Sequence, residues 1–202
     1  MKKSMKFALA ASLNIALLAG GTASQAAVAV LGGGMAESCY KAARNSVAAP
    51  DQRVDFTGTR VGMDPIQMCT LALRSEALGT RGRAGTYTNR GVLLFVDNSF
   101  EAALSSFDKA INLDDDIAEA HINRGASLVA MQRWAEGLEA LTVGLKMNPN
   151  EAEKAYYNRA IANEELGNVR EAYLDYRKAA ELKPEWEQPR IQLTRFTVET
   201  AP

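Results

Sequence analysis

Apolar residues recur at helical spacing through residues 84–186, in pairs of runs that short polar segments separate. The pairs repeat with a period of thirty-four residues, interrupted by the single inserted residue Ala152. Each pair predicts two helices joined by a turn, and the turns are expected at "VDNS", "AMQR" and "LGNV". One such hairpin cannot bury its own apolar face. The pattern therefore predicts a stack of helix-turn-helix units that share a core.

The three copies, 84–117, 118–151 and 153–186, place the same kinds of side chain at the same positions. Five matching positions of each copy hold, in order along the chain, an aromatic or histidine residue, two small residues, a large residue and a third small residue. Small residues near the middle of both helices allow the helices of one hairpin to cross closely. The residues in this order are Tyr87, Gly91, Ala103, Phe107 and Ala110; His121, Gly125, Gly137, Leu141 and Gly144; and Tyr156, Ala160, Ala172, Tyr176 and Ala179.

This order, with Pro149 and Pro184 closing the second and third copies, resembles the tetratricopeptide repeat family over about half of the chain. The resemblance implies an all-α, right-handed solenoid of helix-turn-helix repeats, with about three full repeats. It also implies that the first helix of each hairpin lines a concave groove. The chain departs from the family pattern at Arg90, Arg124 and Arg159, which replace a leucine, and at Asn163, which replaces a large residue.

Local signals predict where several helices begin and end. Asp116 with Glu119, and Asn150 with Glu153, have the spacing of capping boxes, in which two side chains satisfy the first main-chain N–H groups of a helix. Gly167 is expected to end a helix in a left-handed conformation.

The segments on either side of the repeats are predicted to cap the stack, as solenoids require. Residues 36–83 are interpreted as a degenerate repeat with a helix, an irregular loop over 46–62, and a second helix that begins at Asp64-Pro65. Residues 187–202 are interpreted as a C-terminal cap. The apolar side chains expected to face inward at that end are Trp186, Ile191 and Leu193.

Residues 1–26 have the three parts of a secretory signal peptide: the basic segment "MKKSMK", an apolar run and a small-residue segment that ends near Ala26. This predicts export to the periplasm or beyond, with 27–35 as a flexible leader. The alternatives are an uncleaved anchor, which Asn14 in the apolar run disfavours, and a lipoprotein, which would need a cysteine at Gly21. No second apolar stretch follows, so we expect no membrane span after cleavage.

The formal net charge is −1 at pH 7, and cleavage after Ala26 would change it to −4 because three lysines leave with the signal peptide. Basic and acidic residues are interleaved along the rest of the chain instead of forming a basic stripe. Nucleic acid and anionic lipid are therefore not expected as partners.

The chain has two cysteines, Cys39 and Cys69. In an oxidising compartment an even number favours pairing, so we expect a disulfide between them. Closing a loop of about thirty residues stabilises a fold by roughly 3–4 kcal/mol in the chain-entropy model. A catalytic or redox pair is the alternative, but such cysteines usually stand two residues apart. His121 is the only histidine, so no zinc-binding spacing is present and no metal is expected.

The sequence contains no recognisable catalytic triad, glycine-rich phosphate loop or metal cluster, so we expect a non-enzymatic protein without a cofactor. The run Asp114, Asp115 and Asp116 lacks the glycine and glutamate of an EF-hand and is expected at a helix start. Two other functions stay open, a carrier of an apolar ligand and a hydrolase with no recognisable motif.

The family resemblance assigns the inner faces of the first helices to residues near Asn89, Asn123 and Asn158. An asparagine side chain offers both a donor and an acceptor, which match a peptide main chain. We predict that these residues bind an extended segment of a periplasmic or envelope protein. The alternative is that these asparagines, with the arginines that follow them, only bond neighbouring repeats. The apolar residues predicted to bind the peptide beside them are Val92, Phe95, Ile122, Ala126, Tyr157 and Ile161.

The predicted groove narrows towards an acidic end at Glu164 and Glu165. The best-known groove of the family binds a C-terminal carboxylate through paired lysine and asparagine residues. The first copy has neither at the expected positions, and only Asn123 and Lys154 remain. We therefore do not expect a chaperone-type carboxylate clamp.

Overall fold

The computed structural model describes residues 5–9, 34–48 and 64–200. Within these ranges the chain forms nine helices and one pair of strands. The helices are α1 Met35–Ala48, α2 Pro65–Ser75, α3 Thr80–Val96, α4 Phe100–Leu113, α5 Ala118–Ala130, α6 Trp134–Lys146, α7 Ala152–Glu165, α8 Val169–Leu182 and α9 Glu187–Leu193. The strands are β1 Met5–Leu9 and β2 Phe196–Thr200.

The helices pack as a stack of hairpins. Helices α3 and α4, α5 and α6, and α7 and α8 pack in pairs, and the second helix of each pair contacts the first helix of the next. The first helices, α3, α5 and α7, also contact one another in order, and α1 and α2 pack against α3 in the same manner. The prediction of an all-α repeat solenoid is therefore confirmed.

Glycine allows the two helices of a hairpin to approach closely. A Cβ atom added to Gly91 would lie 2.4 Å from the Phe107 ring, and one added to Gly125 would lie 2.6 Å from Cγ of Leu141. Both neighbours are fully buried, so they have little room to move. The small residue of the first helix and the large residue of the second helix therefore pack against each other.

The predicted turns all lie between the two helices of a hairpin. Gly167 has a φ of 77°, as expected, and Asn98 and Gln132 reach φ 60° at the matching turns of the earlier repeats. The predicted capping boxes are wrong. Helices α5 and α7 begin after Ile117 and Glu151, and no side chain caps either helix.

The N-terminal hairpin is tied together at two places. A disulfide joins Cys39 of α1 to Cys69 of α2, with the Cα atoms 5.0 Å apart. The carboxylate of Glu76 accepts hydrogen bonds from the main-chain N–H groups of Met35 and Ala36, at 2.5 and 3.2 Å. Asp64 caps α2 through the N–H of Ile66, as predicted.

Helix α1 extends to Ala48, into the segment predicted as a loop. The rest of that predicted loop, from 49, lies outside the described residues. Among the residues that the structure describes, no helix has the length and apolarity that crossing a bilayer requires.

The C-terminal cap packs on the third repeat. The rings of Trp186 and Tyr157 lie 4.8 Å apart, and Leu193 is half-buried beside them. The prediction that Ile191 faces inward is wrong, because 56% of its surface is exposed. Phe196 fills the inward position instead and packs against Tyr176 at 6.0 Å.

Strand β1 pairs antiparallel with β2, so the two ends of the chain meet in one ribbon. The register places Met5 opposite Thr200 and Leu9 opposite Phe196. Strand β1 lies within the predicted signal peptide, which was not expected to form part of the fold. The predicted cleavage site at Ala26 lies outside the described residues.

Candidate functional site

The three asparagines predicted to bind a peptide occupy the same position of α3, α5 and α7. All three are buried, with 0%, 2% and 4% of Asn89, Asn123 and Asn158 exposed. Each already has an interaction within the protein. The structure therefore places these side chains at the interior of the stack, and their role in peptide binding stays a prediction.

The apolar residues predicted beside them are also core residues. Val92, Phe95 and Ala126 belong to one cluster with both cysteines of the N-terminal hairpin. Ile122 packs in a second cluster, and Tyr157 packs in a third with its ring 5.3 Å from that of Tyr176. Neighbouring helices cover these five positions, so their role in peptide binding stays a prediction.

The accessible part of the predicted peptide-binding face lies on helix α7. Ile161 is half-buried, and Lys154, seven residues earlier on the same side of the helix, is half-buried too. Lys154 forms no ion pair with any residue that the structure describes. Glu165 ends the helix and is exposed. A polar and apolar strip therefore remains on α7, which we call the α7 strip: Lys154, Ile161 and Glu165.

The predicted acidic end of the groove is closed by the C-terminal cap. Glu164 pairs with the guanidinium of Arg195 and accepts a 3.1 Å hydrogen bond from the Tyr176 hydroxyl. Burial raises the pKa of that hydroxyl, and the negative charge of Glu164 raises it further, so Tyr176 stays a proton donor. Of the two glutamates predicted at this end, Glu165 is the exposed one.

The sequence left open that the arginines that depart from the family pattern only bond neighbouring repeats, but it did not identify their partners. Arg159 donates two hydrogen bonds, at 2.7 and 2.8 Å, to the buried carboxylate of Asp175. Asn163, the fourth departure, donates to the same carboxylate at 3.2 Å. Arg124 pairs with Asp108 at 2.7 Å. The departures therefore form a polar network between helices, and their repetition at one register was the signal for it.

The first arginine of this series lines a cavity that sequence reasoning did not anticipate. The cavity has a volume of about 540 Å³ and opens between α2, α3 and α4. Among the described residues, its lining contains several cationic side chains and no carboxylate. These cations are Arg74, Arg83, Arg90 and Lys109.

The three aspartates at the end of the first copy, Asp114, Asp115 and Asp116, make contacts close to them in the chain. Their carboxylates lie within 4.8 Å of one another. Asp114 accepts a 3.2 Å hydrogen bond from the N–H of Asp116 and lies 3.6 Å from Arg81. The imidazole Nε2 of His121 lies 3.0 Å from the carbonyl oxygen of Asp115. This agrees with the expected position at a helix start.

The family model for the tetratricopeptide repeat matches residues 153–185, which cover α7 and α8. Residues 153–185 are thus similar to a tetratricopeptide repeat. Curated relatives are similar to this protein over about half of the chain. They include a DnaJ homolog subfamily C member 7 homolog from Dictyostelium discoideum, 33% identical over 95 residues, and the mitochondrial import receptor subunit TOM70 from Rattus norvegicus, 31% identical over 106. The matches cover 45% and 50% of this chain but only 17% of either relative.

Solved tetratricopeptide structures share the fold. The second tetratricopeptide domain of human RPAP3, in complex with the HSP70 peptide SGPTIEEVD, superposes with a TM-score of 0.53 at 24% identity, covering 57% of this chain and 96% of that one. YrrB, described as having an unusual peptide-binding site, superposes with a TM-score of 0.56 at 24% identity, covering 62% of each chain. At this identity the likeness concerns the fold alone.

Proposed function

We propose that this protein is a non-enzymatic tetratricopeptide repeat adaptor that binds an extended segment of a partner protein on its inner helices. Export through a signal peptide would place it in the periplasm or outside the cell, with a periplasmic or envelope protein as the partner. Two structural neighbours support a peptide ligand, since one was solved with a peptide and the other is described by its peptide-binding site.

The observation that carries the proposal is the α7 strip. Ile161 offers apolar surface at its centre, between the cation Lys154 and the anion Glu165. The two charges stand eleven residues apart, which corresponds to about 16 Å along a helix. An extended peptide covers that distance in about five residues. The strip therefore matches a short segment with an acidic residue at one end, an apolar residue in the middle and a basic residue at the other.

The buried asparagines would contribute only after the residues that cover them move aside. We therefore propose first contact on the α7 strip, and a role for Asn158, which lies one turn from Ile161 on the same helix. A carrier of apolar ligands receives no support from the cavity between α2, α3 and α4, because that cavity is lined mainly by charged side chains.

A displayed library of random peptides tests the proposal without knowledge of the partner. We expect the native chain to enrich peptides with an apolar residue flanked by opposite charges, and Ile161→Asp to lose this enrichment. Leu166→Asp is the matched control, since Leu166 is 41% exposed at the end of α7 and outside the strip. Equal loss in both variants, or no enrichment by the native chain, would contradict the proposal.

Charge reversal sharpens the result. Lys154→Glu should change the preferred residue at one end of the peptide from acidic to basic and leave the apolar position unchanged. If Lys154→Glu prefers the same residue at that end of the peptide as the native chain, Lys154 does not touch the ligand.

A further inference from the structure

In the second and third repeats the repeat arginine has a carboxylate sixteen residues away, and in the first repeat it has none at those positions. Arg159 pairs with the carboxylate sixteen residues after it, Asp175. Arg124 pairs with the carboxylate sixteen residues before it, Asp108. Each of these guanidinium groups is thus neutralised from one of two positions, either in its own hairpin or in the preceding one.

Arg90 has no carboxylate at either position. Sixteen residues after it stands Ser106, and sixteen residues before it stands another cation, Arg74. The Arg90 guanidinium donates instead to two hydroxyl oxygens, Ser106 Oγ at 3.1 Å and Thr70 Oγ1 at 3.2 Å. A hydroxyl satisfies the donor but does not neutralise the charge.

The contacts of the other two cations within the described part of the chain are with neutral groups. Arg83 donates to the carbonyl oxygen of Leu73 at 3.1 Å. Lys109 lies 5.8 Å from the centre of the Tyr87 ring. None of the four cations pairs with a carboxylate among the residues that the structure describes. In a chain of net charge −1, this is a local concentration of positive charge around one cavity.

We propose that the cavity between α2, α3 and α4 binds a multivalent oxyanion, either a phosphate compound or a polycarboxylate. Guanidinium groups present paired N–H donors that match the oxygen atoms of both groups, and lysine adds a compact charge. The cavity volume of about 540 Å³ suffices for a small molecule of this kind. The ligand would supply to Arg90 the negative charge that Asp108 and Asp175 supply to the other arginines. This site is separate from the α7 strip.

Titration calorimetry on the full chain at low ionic strength tests the proposal, with inorganic pyrophosphate and citrate as the two probes. We expect saturable binding of at least one, and the tighter probe distinguishes phosphate from carboxylate recognition. Arg74→Asp should weaken binding at least tenfold. It places a carboxylate sixteen residues before Arg90, as in the Asp108–Arg124 pair, so the variant should fold normally. Ser106→Asp, built on the Asp175–Arg159 pair, should have the same effect.

Arg170→Asp is the control, because it changes the charge equally at an exposed residue outside the cavity. It should leave the affinity within twofold of the native value. Native affinity in Arg74→Asp, equal weakening in Arg170→Asp, or no saturable binding of either probe by the native chain would overturn the proposal. Ile161→Asp should bind the oxyanion normally, so this result does not depend on the peptide-binding function.

Discussion

At the scale of single residues, the pair of Arg159 and Asp175 is the least exposed ion pair between the hairpin helices. Only 21% and 8% of the two side chains are exposed, and the carboxylate is 2.7 Å from the guanidinium. Asp175→Asn keeps the shape of the side chain and removes its charge, which leaves a largely buried cation without an anion. We expect a loss of about 2–4 kcal/mol in the free energy of unfolding, measured by urea denaturation.

The matching substitution in the second repeat provides the control. Asp108 and Arg124 form the same kind of pair, but 51% and 31% of their side chains are exposed. Exposed pairs contribute about 0–1 kcal/mol, so Asp108→Asn should change stability little. Similar losses in the two variants would mean that burial does not set the strength of these pairs.

The positions of the repeated asparagines could be predicted from the sequence, but the residues that surround them could not. The repeat placed Asn89, Asn123 and Asn158 at one register, which the structure confirms. Their exposure depends on how far neighbouring helices and the terminal segments cover the inner face, and no local pattern encodes that. The cationic cavity could not be predicted for the same reason, because Arg74 and Arg90 come together only when the degenerate hairpin stacks on the first repeat.

At the scale of helices, contacts between small and large residues set how closely the two helices of a hairpin cross. A Cβ atom added to Gly125 would lie 2.6 Å from Cγ of Leu141 and 2.9 Å from its main-chain nitrogen. Gly125→Ala should therefore push α5 away from α6. We expect a net loss of about 1–3 kcal/mol in thermal unfolding, as is usual for an overpacked core.

Gly79→Ala is the corresponding control, since a Cβ atom there meets nothing within 4 Å. Gly79 precedes α3 and has a φ of −63°, which alanine adopts without strain. Alanine is a poorer N-cap than glycine but loses less backbone entropy on folding, and because these effects oppose each other the net change should stay within about 0.5 kcal/mol. A Gly125→Ala variant as stable as this control would show that the crossing adjusts freely.

Helix existence was predictable from the repeat, whereas helix ends were less so. Three copies of one apolar pattern support one another, so an error in one copy does not change the number of helices. A cap depends on the conformation of single residues. Asp116 stands one residue too early to cap α5, and its N–H instead donates to Asp114. Asp64 was predicted correctly because Pro65 restricts the backbone at the same place.

At the scale of the whole molecule, the Cys39–Cys69 disulfide should act mainly on the N-terminal end of the stack. In a repeat array each unit is stabilised chiefly by its neighbours, and α1 and α2 have a neighbour on one side only among the described helices. Reduction should therefore speed amide hydrogen exchange in α1 and α2 more than in α7 and α8. The Cys39→Ala/Cys69→Ala variant is the control that separates reduction from other effects of the reagent. Unchanged exchange in α1 and α2 would contradict a stapling role.

The ribbon of β1 and β2 links the two ends of the chain and makes a second prediction at this scale. A lone pair of strands is only marginally stable in water, so this ribbon depends on its contact with α8 and on the packing of Phe196 against Tyr173, at 5.8 Å between ring centres. If the signal peptide is removed after Ala26, β1 leaves with it and β2 loses its pairing partner. A chain of residues 27–202 should therefore exchange the amides of Phe196–Thr200 faster than the full chain, while α8 stays equally protected.

A full-length variant separates loss of pairing from loss of the segment itself. Successive N–H groups of a strand point to opposite edges, so the N–H group of either Phe7 or Ala8 points towards β2. The double variant Phe7→Pro/Ala8→Pro removes both groups, and with them the one that pairs with β2. Exchange at Phe196–Thr200 should then match that of the shortened chain. If all three chains protect these amides equally, β2 is held by the third repeat alone, and β1 does not contribute to holding β2 in place.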